Sequence, residues 1–577
     1  MAIHGFGRWA LSVAAVGLGV GISLGASQAP AAAGQTPKAA EEAGIPIPDT
    51  TVQSACGPCH RTDDKQQISR ISFQRNTPEG WQDTIKRMVA LNGLKIEPAA
   101  ARAVVKYLSN NLGLAPEEAR TVAYEVEKRP LVDEKYTATT DLDGLCNACH
   151  SLGRVLSQRR TRGEWELLIA MHRGWYPLVD RQVFRRMGPA PRERDADGRP
   201  PDTRHPSEKA VDHLSKAFPL QTPEWAAWSA TMRPARIGGE WALSGHELGK
   251  GAVYGRVVLT PVANTSDEFT TDITYTYART GEQVKRAGRV VIYTGFQWRG
   301  RSTVGGNDTT AVREVMFVDR DWRSIEGRWF HGGYDETGID VRLQRAAGET
   351  TILGVDRTGM RRGTTQTLKI YAAQAPAGLQ ARDVDLGPGL TVASVSVAGE
   401  VVTATVDVAA DAAIGPRAIV VGSAVKSGAL VVYDKVDTIR VAPDWSMARA
   451  GGLSYPKMFA QFEAWGYQDG PDGKPGTDDD IKIDMVDAVW SLEEYTATFK
   501  DDDVRFVGSI DPETGFFTPN VEGPNPQRVG ERNNVGDVWV VATYRSPSNP
   551  SAAPLRGRAH LLVTVPLYMR FDPSVTP

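Results

Sequence analysis

The chain has 577 residues, four cysteines and a formal net charge of -3 at neutral pH. A chain of this length divides into about three to five domains. A charge so close to balance gives no reason to expect nucleic acid as a partner, and four cysteines are too few for a disulfide-rich scaffold.

Residues 1–33 have the pattern of a secretory signal peptide. A positive start at Arg8 precedes an apolar run rich in glycine and alanine, and small residues of the A-x-A type follow near Ala29 to Ala33. An uncleaved membrane anchor is the alternative, but the run is short for a spanning helix. We therefore expect a cleaved signal peptide and a mature chain without a membrane span.

All four cysteines belong to two copies of one five-residue pattern, C-x-x-C-H. Two cysteines three positions apart on one helical turn can each form a thioether to the same porphyrin, while the adjacent histidine binds the iron. A zinc knuckle or a thioredoxin-like redox pair needs no histidine at this position. The doubled pattern therefore predicts two covalently bound haem c groups. The residues of the two copies are Cys56, Cys59 and His60, then Cys146, Cys149 and His150.

A duplicated segment after each motif indicates the sixth iron ligands. Residues 70–81 match residues 154–165 at a constant offset of 84 positions, and each copy continues into a helical pattern. The same offset pairs Met88 with His172. Since a thioether and an imidazole are both common sixth ligands, we predict Met88 for the first haem and His172 for the second.

Other residues compete for these ligand positions. A methionine in an amphipathic helix is more often part of a core than an iron ligand. Met171 neighbours His172 in the sequence, and His205 and His213 follow later in the second copy. These three residues stay open as alternatives for the second haem.

A closing helix completes each copy, beginning near Ala103 in the first and near Ala210 in the second, at an offset of 107. The second copy carries extra residues that include the segment 185–206, which is rich in arginine, aspartate and proline and predicts a surface loop. Residues 34–236 are therefore predicted to form an all-α dihaem cytochrome c domain of two tandem modules.

The sequence after the second module alternates instead of following a helical period. In residues 270–278 apolar and polar side chains alternate, which is typical of a half-buried antiparallel strand. Further strands follow at short intervals between Gly, Pro, Asn and Asp residues. We expect an antiparallel β-barrel over 237–345 and immunoglobulin-like β-sandwiches over 346–445 and 446–577.

The segment Asp469–Asp480 is the one stretch of the β-rich part with the composition of a calcium loop. It concentrates carboxylates and glycines, but it lacks the EF-hand spacing, and an acidic solvated turn is the favoured interpretation. Calcium binding there stays open. His246, His331 and His560 stand singly in β segments and are interpreted as structural or surface residues.

This order of elements resembles the large α subunit of quinohemoprotein amine dehydrogenase. The resemblance covers the whole chain in order and size, although its specific motifs, the two C-x-x-C-H copies, lie in the first 230 residues. It implies two partner chains, a β-propeller subunit and a small subunit that carries cysteine tryptophylquinone. In that family primary amines are oxidised to aldehydes at the quinone.

The resemblance implies a role in electron transfer. All four cysteines are used by haem, so none remains to form a quinone here, and the amine-oxidising site is expected in another chain. Electrons would pass from the quinone through both haems to a soluble cytochrome c or a blue copper protein, and c-type haem attachment implies the periplasm. A stand-alone dihaem cytochrome c and a dihaem peroxidase are the alternatives, and two protein ligands on each iron disfavour the peroxidase.

Overall fold

The computed structural model describes residues 42–124, 146, 152–176, 179, 198, 202–331, 337–346, 348–452, 456–495 and 501–565. The predicted signal peptide, Cys149 and His150 lie outside these residues, as does most of the predicted surface loop.

Helices are the commonest elements before residue 232. The caps show why two of them begin where they do: the side-chain oxygens of Thr77 and Thr161 accept hydrogen bonds from the backbone of Gly80 and Glu164, at 3.1 and 3.3 Å. The helices are α1 (Thr50–Cys56), α2 (Pro78–Asn92), α3 (Pro98–Asn111), α4 (Pro116–Arg120), α5 (Gly153–Leu156), α6 (Arg162–Trp175), α7 (Pro206–Ala217) and α8 (Pro223–Thr231).

The prediction of an all-α haem region is wrong. Two strands, β1 (Gln74–Asn76) and β2 (Gln158–Arg160), pair antiparallel between the helices. The described chain is mainly β, with 43% in strands and 20% in helices. A three-residue strand is too short to show a period in the sequence, and its partner lies in the other copy of the repeat.

The pairing of β1 with β2 relates the two copies of the repeat. Its central pair is Arg75 opposite Arg159, and these two residues are also equivalent at the offset of 84. An antiparallel ladder centred on equivalent residues is what a local two-fold axis produces. The two modules therefore pack face to face through their duplicated segments.

Each module repeats the same internal contacts. The indole N–H of Trp81 donates to the carbonyl of Leu112 at 3.0 Å, and that of Trp165 donates to the carbonyl of Phe218 at 3.2 Å. Both tryptophans are buried. The tryptophans are 84 positions apart and the carbonyls 106, so the added residues of the second copy lie between these points.

An eight-stranded barrel follows the helical region. It is closed and antiparallel, and the predicted alternation is present, because Ile273, Tyr275 and Tyr277 all point into its core. Its strands are β3 (Gly239–Glu247), β4 (Gly251–Pro261), β5 (Glu268–Tyr277), β6 (Gln283–Tyr293), β7 (Gln297–Val304), β8 (Asn307–Val318), β9 (Ser324–His331) and β10 (Gly338–Arg345).

The barrel and the second haem module share one apolar core. Phe296 and Phe317 of the barrel lie in the same cluster as Trp225 and Trp228 of α8. The Trp228 and Phe296 rings meet edge to face at 5.2 Å. A half-buried ion pair between Glu79 of α2 and Arg299 joins the first module to the barrel.

Two four-stranded sheets come next and share one apolar core, an arrangement like a sandwich. One sheet has the order β11-β13-β16-β15 and the other β12-β18-β17-β14. The strands are β11 (Thr351–Val355), β12 (Gly359–Arg361), β13 (Thr365–Ala373), β14 (Val384–Asp385), β15 (Leu390–Ala398), β16 (Val401–Val408), β17 (Gly415–Val421) and β18 (Ala424–Tyr433).

The last part of the chain forms one four-stranded and two three-stranded sheets around another apolar core. None of the helices in the described ranges of the whole chain is long and apolar enough to cross a membrane. The elements of this last part are β19 (Thr438–Ala442), β20 (Trp445–Arg449), β21 (Ala460–Gln461), β22 (Glu463–Gln468), β23 (Ile481–Met485), β24 (Val489–Glu494), α9 (Asp503–Phe506), β25 (Gly508–Ile510), β26 (Phe516–Pro519), β27 (Gly536–Tyr544) and β28 (Leu555–Thr564).

Candidate haem-binding site

The first C-x-x-C-H motif begins at the C-terminal end of α1. The amides of Cys59 and His60 donate to the carbonyl of Cys56 at 3.1 and 2.9 Å, so the motif continues the last helical turn. Cys56 is buried in the same apolar core as Ile85 of α2, while Cys59 is exposed. One turn therefore holds both sulfurs, and its core side borders the helix that carries Met88.

The Cys56 thiol is a weak nucleophile when no group is attached to it. Burial, with a smaller contribution from the neighbouring Cys59, raises its pKa to about 11. Cysteines that act as redox nucleophiles have lowered pKa values. None of the three cysteines that the structure describes is in a disulfide, which fits cysteines reserved for attachment of a cofactor.

The ring of His60 is oriented by the backbone. Its Nδ1 lies 3.1 Å from the carbonyl oxygen of Ser69. Since a carbonyl only accepts, Nδ1 carries the proton and Nε2 keeps a free lone pair. Metal-ligating histidines are usually held in this way through their second nitrogen. His60 therefore presents the tautomer that an iron ligand needs.

Met88 lies in the last third of α2 and is half-buried. Asn92, one turn later, donates from its side-chain amide toward the sulfur at 3.7 Å. The sulfur therefore lies where a polar group or a metal can reach it. α2 ends just beyond, at Gly93 with φ +70, and the Gly93 amide caps the carbonyl of Met88.

The second motif is described at Cys146. Its side chain packs against the apolar core that contains Trp165 of α6, and Leu168 and Ile169 of α6 pack against the same core. Cys149 and His150 lie outside the described residues. The packing of Cys146 places the start of the second motif against the helix that carries His172, as Cys56 is placed against α2.

His172 is held like His60. Its Nδ1 donates to the carbonyl of Leu168 at 2.8 Å, so the proton of the neutral ring is on Nδ1. Burial lowers the pKa of His172 below its ordinary value, and the positive charges of Arg160, Arg154 and Arg87 act in the same direction against the Leu168 hydrogen bond. A neutral imidazole is the form that ligates a metal.

The alternative ligands of the second haem are placed differently. The Met171 side chain is 42% exposed. His205 caps α7, accepting from the amide of Ser207 through Nδ1 at 3.3 Å, and His213 packs edge-on against Phe218. Because Nδ1 of His205 accepts, the proton of its neutral ring is on Nε2, whereas in His172 the proton is on Nδ1.

Exposed apolar side chains concentrate near the predicted sixth ligands. Of the twelve large apolar side chains that are exposed in the described ranges, six lie on or directly after α2 and α6. Large exposed apolar groups that cluster in this way mark surfaces that another group covers. A porphyrin against each helix would cover such a surface, so these residues fit a haem. The six are Val89, Leu91, Leu167, Met171, Trp175 and Tyr176.

A buried charge cluster between the modules is absent from the sequence-based predictions. The Glu118 cluster consists of Glu118 with Arg75, Arg159 and Thr222, and five donors converge on its carboxylate. Arg75 binds both oxygens at 2.8 and 3.0 Å, and Arg159 binds one at 3.0 Å. The Thr222 hydroxyl and the Ala115 amide each donate at 2.9 Å. The sequence held one signal for this cluster: the repeat places an arginine at the same position of both copies, Arg75 and Arg159. Two such cations that meet need an acidic side chain between them, and Glu118 is that acid.

The Glu118 carboxylate stays ionised in this cluster. Burial opposes ionisation, but the hydrogen bonds and charge of Arg75 and the charge of Arg159 outweigh it and lower the pKa to about 2. The cluster joins an acid from the first module to arginines from both. It therefore couples the two modules directly.

Acidic groups elsewhere use protein partners. In the segment Asp469–Asp480, Asp479 accepts from a backbone amide of its own loop and Asp480 pairs with Arg440. Among the described residues, Asp501 to Asp503 are the acidic group compact enough for a metal ion. The buried Arg528 contacts all three, so a cation already occupies that position.

Comparison with solved structures finds distant likenesses. A redesigned β-barrel is 14% identical, and the match covers 20% of this chain and 97% of the barrel, with a TM-score of 0.18. SGBP-B of the Bacteroides ovatus mixed-linkage glucan utilization locus, solved in complex with a mixed-linkage heptasaccharide, is 8% identical, and the match covers 54% of this chain and 63% of that protein, with a TM-score of 0.16. No curated protein matches the chain.

Four family models match the chain in sequence. They are the haem-binding region of quinohemoprotein amine dehydrogenase A, alpha subunit (residues 47–190), and domains II (234–346), III (349–434) and IV (439–574) of the same subunit. Their order along the chain is that of the helical region, the barrel and the two later groups of sheets. The chain belongs to the family of quinohemoprotein amine dehydrogenase alpha subunits and is a haem-bearing subunit of that enzyme.

Proposed function

We propose that this chain is the electron-transfer subunit of the enzyme and carries two covalently bound haem c groups. Cys56, Cys59 and His60 hold the first; Cys146, Cys149 and His150 hold the second. The observation that carries the proposal is the orientation of two predicted ligands. His60 and His172, from different copies, both donate through Nδ1 to a backbone carbonyl, which places the proton of each neutral ring on Nδ1.

The sixth ligands in this proposal are Met88 and His172. They occupy equivalent positions, eleven residues after the capping threonines Thr77 and Thr161. Bound haem supplies a one-electron carrier whose potential is set by its axial ligands and surroundings. The chain's own residues orient those ligands, exclude water through the apolar cores and fix the relation of the two modules.

The oxidation of the amine is proposed to occur in another chain. All four cysteines serve haem attachment in this proposal, so cysteine tryptophylquinone is assigned to a small partner subunit, with a β-propeller subunit completing a heterotrimer. The acceptor is proposed to be a soluble cytochrome c or a blue copper protein in the periplasm. Export to the periplasm requires residues 1–33 to act as a signal peptide. The domains of the mature chain are proposed to divide near residues 236, 345 and 445.

Addition of a primary amine to the assembled enzyme is expected to reduce both haems. The absorption of ferrous haem should grow to the same extent as with a chemical reductant. The same chain purified without its partners should stay oxidised, because the electron source is in another subunit. Reduction of the isolated chain by amine would place the oxidation site here and contradict the division of labour, and rapid turnover of peroxide by that chain would favour the peroxidase alternative.

A further inference from the structure

The turn between β6 and β7 carries a strained threonine. Thr294 is fully buried and has φ +55, a conformation that is rare for a β-branched residue. Gly295 follows with φ +73. A residue keeps such a conformation only where its surroundings hold it in place. The contacts of Thr294 therefore show which parts of the molecule stabilise this conformation of the turn.

The first set of contacts reaches the first haem module. The amide of Thr294 donates to Oδ1 of Asn110 at 2.6 Å, and its hydroxyl donates to the carbonyl of Ser109 at 3.0 Å. Both partners lie at the C-terminal end of α3. A β-carbon on Gly113, just beyond α3, would stand 3.0 Å from the same hydroxyl. The turn therefore packs closely against the end of α3.

A contact with the second module comes from the other side of the turn. The indole N–H of Trp228 in α8 donates to the carbonyl of Thr294 at 3.0 Å. The hydroxyl of Thr294 also accepts from the side chain of Gln297 at 3.1 Å. The backbone amide and the hydroxyl of Thr294 thus bind α3 of the first module, and its carbonyl binds α8 of the second.

The turn also adjoins the Glu118 cluster. The carbonyl of Gly113 accepts from Arg75 at 2.9 Å, and Arg75 binds Glu118. Contacts therefore run without a break from the barrel turn through the end of α3 to the cluster between the modules. A barrel strand turn placed at this junction restrains both modules at once.

We propose that Thr294 is a positioning residue that fixes the two haem modules relative to each other. The inference rests on the proposed function, since it requires one haem in each module. Its physical basis is that a closed barrel is a rigid support, and the turn binds α3 of one module and α8 of the other from that support. Electron passage between two centres depends on a constant separation, and the turn supplies the constraint.

Pulsed dipolar EPR of the oxidised full chain tests this inference, because it reports the distribution of distances between the two ferric irons. Three variants weaken different contacts: Thr294→Gly relieves the strain and removes the hydroxyl, Trp228→Phe removes the donor from α8, and Asn110→Ala removes the acceptor in α3. We expect the single narrow distribution of the unsubstituted chain to broaden in each variant, while the number of covalent haems stays the same. Hydrogen exchange should accelerate at the end of α3 in Asn110→Ala.

Thr280→Ala is the matched control. Thr280 precedes Gly281 in the turn between β5 and β6, is exposed, and its hydroxyl accepts from the amide of Glu282 in that same turn. This variant should keep the unsubstituted distribution. A distribution that also stays narrow in Thr294→Gly and Trp228→Phe overturns the inference. A chain that binds fewer than two haems before any substitution overturns the proposed function instead, and mass measurement reports that outcome separately.

Discussion

Replacement of Glu118 by glutamine is expected to destabilise the haem region by about 3–5 kcal/mol, because it leaves Arg75 and Arg159 buried without the carboxylate that pairs with both. Arg75 is fully buried and Arg159 nearly so. The loss should appear as a lower denaturant midpoint of the transition that exposes Trp81 and Trp165. A midpoint restricted to this region is the appropriate measure, since a multidomain chain does not unfold in one step.

Glu117→Gln is the control for this substitution. Glu117 is adjacent in the sequence but exposed, and it pairs with the exposed Arg320 at 3.1 Å. Exposed pairs contribute at most about 1 kcal/mol. Equal effects of the two substitutions would show that the Glu118 cluster does not hold the modules together.

The Glu118 cluster also makes the stability of the haem region depend on pH in the acid range. The pKa of Glu118 is lowered from its ordinary 4.5 to about 2, so the stability that it contributes is present above about pH 4.5 and is lost as the pH falls toward 2. By linkage this contribution is about 3 kcal/mol. The unsubstituted chain should therefore lose stability over this window, and Glu118→Gln should have a flatter profile there.

Met88→His is expected to change one haem and spare the other. A thioether favours ferrous iron more than an imidazole does, so the potential of the first haem should fall by about 0.1 V or more, within the ~0.8 V range that axial ligands span. The sulfur-to-iron absorption band of the ferric spectrum should disappear. In the proposed arrangement, the positive charges of Arg87, Arg154 and Arg160 near His172 would favour reduction of the second haem, and Asp83 and Glu164 would offset part of that charge.

Met171→Leu is the control for Met88, because Met171 is the other methionine close to a predicted ligand. This substitution should leave the band and both potentials unchanged. Loss of the band in Met171→Leu together with its survival in Met88→His would mean that the offset of 84 does not assign the ligands.

The repeat made much of the haem region predictable. Trp81 and Trp165, which the offset of 84 pairs, each donate to a carbonyl at the end of the closing helix of their own module, and Thr77 and Thr161 cap equivalent helices. These contacts form within one module, and a duplicated sequence preserves them. The alternation in β5 was equally direct, because one face of that strand is buried throughout.

The contacts between modules could not be predicted in the same way. The pairing of β1 with β2 depends on three residues in each copy, and Glu118 reaches Arg159 across 41 positions of sequence. Thr294 and Trp228 lie 66 positions apart in the sequence. Such partners lie far apart in the sequence, and neither periodicity nor spacing encodes which surfaces meet.

The intact mass of the chain under denaturing conditions tests the central claim most directly. Only a covalently attached haem survives denaturation, so the mature chain should exceed its polypeptide mass by two haem groups. The Cys146→Ala, Cys149→Ala double variant should exceed its own polypeptide mass by one haem group. A variant that still carried two haems, or an unsubstituted chain that carried none, would contradict the assignment of one covalent haem c to each C-x-x-C-H motif.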